Sequence, residues 1–147
     1  MPSTQRFGLA LLGLSFLLTA MLNASELGHN TNAKRTPIST HVLNTASGKP
    51  AAGVAVVLQF QAGKNWQEFG RGITDLQGRA ADLYLSKKPL QAGTYRLAFE
   101  TGTYFKGQGV KAFFPQVEII FEIEKIDDHY HVPLLLSPFG YSTYRGS

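Results

Sequence analysis

No cysteine occurs anywhere in the 147 residues of the chain. A thiol nucleophile, a thiolate metal centre and a disulfide are therefore all excluded, and stability has to come from packing or subunit association. Concentrated charge is missing as well: 14 Lys+Arg stand against 10 Asp+Glu, interspersed along the chain with no basic cluster or stripe. That pattern is no footprint for nucleic acid. Internal repeats and low-complexity tracts are also absent.

One long apolar run is present, Phe7 to Leu22 (FGLALLGLSFLLTAML), preceded by Arg6 and followed by Asn23, Ala24, Ser25 and Glu26. The run is shorter than the roughly 18 to 20 apolar residues that a membrane span needs, and no basic cluster flanks it. Residues 1–24 read as a secretory signal peptide cleaved near Ala24, although Leu22 is bulkier than the small residue usual two places upstream. Export to the periplasm follows, with nothing left to hold the chain to a membrane after cleavage. Residues 25–37 (SELGHNTNAKRTP) are polar and mixed, a flexible lead-in with His29 as a solvated linker residue. Residues 38–147 are then one domain, large enough to bury a core.

That domain alternates. ISTHVL (38–43) puts Ile38, Thr40 and Val42 on one face of a strand and Ser39, His41 and Leu43 on the other. After the turn NTASGKP, the stretch Val54 to Gln61 carries an apolar face of Val54, Val56, Leu58 and Phe60. Trp66 to Phe69 reads as a short strand with Trp66 as a packing anchor, and TDLQGRA as a turn leading into a short strand at Arg79. Gly93 to Glu100 aligns Tyr95, Leu97 and Phe99, and Val117 to Glu124 aligns Val117, Ile119, Phe121 and Ile123, with Ile120 breaking the outward polar pattern. Residues 101–114 carry three glycines, which admit a short helix or an irregular loop but no long helix. His129 to Ser137 and Tyr141 to Arg145 complete seven or eight short strands with at most one helix. The fold class expected is all-β, an antiparallel β-sandwich.

The C-terminal stretch HYHVPLLLSPFGYSTYRGS is the most informative part. Chain ends are ordinarily frayed, yet this one alternates aromatic and polar residues to its last positions. His129 and His131, two apart on a strand, leave the same face about 7 Å from each other. Such a pair can chelate a metal, with His41 as a third ligand, but no carboxylate stands at a matching offset. Alternatively, a neutral imidazole activates water at neutral pH, provided that a cation such as Arg79 or Arg145 offsets developing charge. The plain alternative is that all of these are ordinary surface residues. His129 is read that way, and spacing does not decide for His41 and His131.

Four segments resemble the transthyretin-like family in its 5-hydroxyisourate hydrolase branch: THVLNTASGKPA, DLQGR, TYFKGQGVKAFFPQVEIIFEI and the C-terminal stretch with its YRGS ending. The similarity runs from about Ile38 to Ser147, and YRGS is its most specific part. The resemblance implies a cofactor-independent hydrolase of urate degradation that opens the 5-hydroxyisourate ring to 2-oxo-4-hydroxy-4-carboxy-5-ureidoimidazoline. It assigns catalysis to His41, Arg79 and His131, and substrate contacts to His41, Arg79, Tyr144, Arg145, Gly146 and Ser147. It further implies a homotetramer with active sites at the interface between dimers. Two rivals stand beside it, a carrier of small aromatic ligands on the same fold and a periplasmic metal-binding protein using His41, His129 and His131.

Overall fold

The computed structural model describes residues 36–85 and 89–147. The segment read as a signal peptide, and His29, lie outside the described residues. Along the described chain come β1 (Ile38–Asn44), β2 (Lys49–Pro50), β3 (Ala55–Ala62), β4 (Asn65–Ile73), β5 (Arg79–Ala80) and β6 (Gly93–Phe99). Then follow α1 (Thr101–Lys106), β7 (Val117–Ile123), β8 (Tyr130–His131), β9 (Leu134–Ser137) and β10 (Gly140–Thr143).

Two sheets make the sandwich. One has the order β4-β3-β6-β7; the other runs β10-β9-β1-β2, with β5 and β8 also paired to β1. Alternation fixes which side chains meet between them. Ile38, Val42, Val54, Val56, Leu58, Tyr95, Leu97, Phe99 and Ile123 are all fully buried, as the period of two requires of inward positions. At the rim of this core, Tyr95 packs against Phe60, with ring centroids 5.0 Å apart, and its hydroxyl donates to Gln91 O at 3.0 Å. The buried hydroxyls of Thr40 and Thr74 are bonded: Thr40 Oγ1 donates to Val132 O at 2.6 Å, and Thr74 Oγ1 donates to Ala51 O at 2.6 Å.

Several local expectations need correction. The second sheet is mixed, because β8 and β9 run parallel to β1. The His129 to Ser137 stretch returns from β7, in the other sheet, so no tight hairpin forces it antiparallel to β1. Among the described residues there are ten strands rather than seven or eight. Three of them (β2, β5 and β8) have only two residues, and the stretch after His129 splits into β8 and β9 around Pro133, which has no N–H to give a ladder. Trp66 is no core anchor. It sits half-buried on the outer face of β4, with the Arg96 guanidinium 4.5 Å from its ring centroid. Residues 36–37 do not belong to a loose lead-in, since Thr36 Oγ1 bonds Ala81 O and Tyr130 N donates to Pro37 O at 2.8 Å. The undecided 101–114 stretch begins with α1, which Thr101 and Phe105 anchor in the core, and continues as turn and loop.

Candidate active site

β1 positions the site because both of its edges are occupied. Along one edge, Ser39 pairs with His131 of β8; along the other, His41 pairs with Arg79 of β5. Ser39 and His41 are outward residues of the same strand, two apart, so alternation alone places them side by side. Pairing then brings His131 and Arg79 to the same face.

Arg79 is held in place by a turn. Asp75 Oδ1 accepts from Gln77 N at 2.9 Å and from Arg79 N at 2.8 Å, and Gly78 N donates to Asp75 O at 2.8 Å. Gly78 has φ +75°, and a Cβ there would lie 2.4 Å from Val42 O. Only glycine allows the turn to press this closely on β1, where Val42 N donates to Gly78 O at 2.8 Å.

The C-terminus closes the opposite side. Gly146 N donates to His131 O at 2.9 Å, the two residues forming an isolated antiparallel bridge. A Cβ on Gly146 would stand 2.5 Å from His131 Cδ2, so the backbone of the tail lies directly against the imidazole ring.

The result is a cleft of about 370 Å³ lined by Ser39, His41, Arg79, His129, His131, Tyr144, Gly146 and Ser147. Of the residues expected at a site, His41, Arg79, His131, Tyr144, Gly146 and Ser147 are brought together. Arg145 is not: its guanidinium lies 5.3 Å from the Tyr130 ring centroid and 3.7 Å from Asp128 Oδ2, in a neighbouring groove that also includes Ile120 and Thr143. Tyr144, between them, lines both the cleft and that groove.

Of the cleft residues, Ser39 was missed at the sequence level and His129 was read as an ordinary surface residue. Ser39 Oγ lies 3.0 Å from His129 Nε2 and 2.9 Å from His131 Nδ1, bridging two rings whose centroids are 6.3 Å apart and whose planes differ by 17°. His129 is thus part of the cleft rather than a plain surface residue. The signals were present, in the i, i+2 relation of Ser39 to His41 and of His129 to His131, but a serine on a strand face carries no chemistry until its neighbours are known.

His131 is held below the ordinary histidine value, first by burial and then by the positive charge of Arg79 and the neighbouring His129 and His41. Its imidazole is therefore neutral at neutral pH. His41 Nε2 is buried without a hydrogen-bond partner, a cost that an incoming polar ligand would relieve. Among the described residues, no three or more His, Asp or Glu side chains form a group able to hold a metal ion. A neutral imidazole, an unpaired imidazole nitrogen and a guanidinium around one small cleft are the parts needed to activate water and hold an anion.

A two-sheet sandwich with such a cleft at one strand, closed by its own C-terminus, defines the class of protein. The chain belongs to the HIUase/Transthyretin family, whose model matches residues 38–146. Its relatives include the 5-hydroxyisourate hydrolase of Salmonella dublin, 46% identical over 134 residues, covering 91% of this chain and 93% of that protein. The solved structure of 5-hydroxyisourate hydrolase from Klebsiella pneumoniae is 41% identical, with a TM-score of 0.65 over 75% of this chain and 98% of that one. Sea bream transthyretin, solved in complex with thyroxine, is 31% identical with a TM-score of 0.69, over 75% of this chain and 94% of its own.

Proposed function

We propose that this chain is a hydrolase that opens the ring of 5-hydroxyisourate in urate degradation, as the names of its relatives indicate. The observation that carries the mechanism is the His131 ring. Its Nδ1 is engaged by Ser39, which leaves Nε2 as the nitrogen for chemistry, and burial beside Arg79 keeps it neutral.

In this reading His131 takes a proton from water as the water attacks a ring carbonyl. Arg79 holds the anionic, urate-like substrate and offsets charge on the tetrahedral intermediate. His41, with its unpaired Nε2, orients substrate or water, while Tyr144, Gly146 and Ser147 wall the cleft. General-base assistance supplies about 10² to 10⁴-fold and one charge donor about 10² to 10³-fold, enough for a substrate that decays unaided. A carrier fits this cleft poorly, because sites built for affinity are mostly apolar, with few polar groups. Replacing His131 and His41 singly by Asn should lower ring opening about 10² to 10⁴-fold for His131 and less for His41. The assay follows ultraviolet absorbance corrected for spontaneous decay. Near-wild-type rates in both variants would sink the mechanism.

Residues 1–24 act as a signal peptide for export to the periplasm in this reading, which the uncharged run after Arg6 supports. Sequencing the N-terminus of protein recovered from a periplasmic extract checks it; an intact Met1 refutes it. A homotetramer is proposed as well, supported by the exposed Ile120, Phe139, Tyr141 and Tyr144. Light scattering that gave a monomer mass would reject it.

A further inference from the structure

The contacts of Ser39 constrain where protons sit. A hydroxyl has one hydrogen, so of its two short contacts with imidazole nitrogens it donates one and accepts the other. Two arrangements satisfy this. If Ser39 donates to His131 Nδ1, then His131 carries its proton on Nε2 and is no base. If His131 Nδ1–H donates to Ser39 Oγ, the serine hydrogen points to His129 Nε2, and His131 Nε2 keeps its lone pair toward the reaction.

We infer that the second arrangement is the resting state, and that Ser39 and His129 form a proton relay behind His131. The inference rests on the hydrolase reading given above and adds His129 and Ser39 as positioning residues for it. As the water oxygen bonds to the ring carbonyl carbon, its proton passes to His131 Nε2. The Nδ1 proton moves to Ser39 Oγ, and the serine proton moves to His129 Nε2. His131 ends neutral with a proton on Nε2, and His129 becomes the imidazolium. When the ring C–N bond breaks, the Nε2 proton goes to the leaving nitrogen. The Ser39 proton then returns to His131 Nδ1 and the His129 proton to Ser39, so one water is consumed and every other proton is back in place.

The electrostatics of the cleft favour this route. Charge on His131 is opposed by burial and by Arg79, with His41 and His129 adding to the effect. Arg79 stands level with His41 in the pairing of β1, and His131 level with Ser39. His129 lies beyond that, next to Asp128 and before Tyr130, which is level with Ile38. The relay therefore moves positive charge along the strand, away from the level of Arg79. Tyr144 and Ser147 are the other polar residues of the cleft wall.

The test uses S39A, S39T, H129Q and the S39A/H129Q double variant in the full chain. Glutamine at 129 keeps a hydrogen bond to Ser39 but accepts no proton. S39A and H129Q should each lower kcat about 10 to 10²-fold with KM within about twofold, a part of the full general-base effect. The double variant should be no worse than either single one, since both cut the same chain, and S39T should restore most of the rate. Nitrogen NMR of histidine-labelled protein, with no substrate present, should find His131 as the Nδ1–H tautomer and lose that preference in S39A. Wild-type kcat in S39A and H129Q, additive losses in the double variant, or an Nε2–H His131 would each overturn the relay. A fully active His131→Asn protein would instead remove the hydrolase mechanism, and the tautomer measurement would still decide the proton arrangement.

Discussion

The two sheets solve different problems. In β4-β3-β6-β7 every strand has seven to nine residues and every pairing is antiparallel, with β6 and β7 in register from Gly93 opposite Ile123 to Phe99 opposite Val117. The sheet around β1 instead gathers short pieces, three of them two residues long, against one central strand, with both parallel and antiparallel pairs. A regular ladder buries one continuous apolar face and needs no particular outward residue. A sheet of short pieces lets several distant segments each deliver one polar residue to the same spot on β1, at the expense of ladder length. The first sheet supplies stability, and the second supplies convergence.

That contrast predicts opposite outcomes for two substitutions. Phe99→Ala removes a fully buried ring of β6 and should cost about 3–5 kcal/mol of unfolding free energy, read as a lower denaturation midpoint. Activity per folded molecule should change little. Arg79→Leu alters an exposed side chain of β5 and should move the midpoint by less than about 0.5 kcal/mol. It should lower kcat/KM about 10² to 10³-fold. Equal stability losses in the two variants would erase the division of labour.

A subtler substitution tests convergence itself. Gly146→Ala puts a methyl 2.5 Å from His131 Cδ2, which the ring can accept only by turning or by pushing the tail away. Displacements of about 1 Å at a reacting group cost up to roughly 10²-fold. The expected loss in kcat is about 10 to 10²-fold, with an unfolding midpoint near wild type. An unchanged rate would mean that the tail does not set the position of the ring.

The same contrast explains what could be read from residue order. The faces of β3, β6 and β7 were legible because period-two alternation over seven or eight residues has one interpretation, and Val56, Leu58, Tyr95, Leu97 and Phe99 are buried as that interpretation requires. The inward face of β1 was legible for the same reason. The direction of β8 and β9 was not, since alternation is identical in parallel and antiparallel strands. Trp66 was misread because size alone does not tell a core position from a place beside Arg96 on the outer face. At the site, His41 and His131 were undecided by spacing and were assigned through resemblance, whereas Ser39 was invisible. Its importance depends on a pairing with His131 across 92 residues of sequence, and no local pattern encodes that. Arg145 was placed at the site with the rest of YRGS, whereas its guanidinium lies by Tyr130 and Asp128, a placement that no local pattern past the end of β10 encodes.

The smallest expected effect concerns protons. His131 has a folded-state pKa below its unfolded value, because burial and Arg79 oppose the charged form. Between those two values the unfolded chain binds more protons than the folded one, so stability rises with pH there. The stabilisation is fully present above the unfolded histidine value, near 6.5, and is lost as pH falls through the folded pKa. Activity should follow the same side of the curve. The neutral imidazole is the base, so kcat/KM should fall on acidification, at a lower pH than it would for an unperturbed histidine. Arg79→Leu removes a positive charge that opposes protonation of His131 and should move the acidic limb toward higher pH without abolishing the depression, because burial is the leading cause. Phe99→Ala, on the other sheet, should leave that limb where it is. A limb that moved equally in both variants would place its origin outside the cleft.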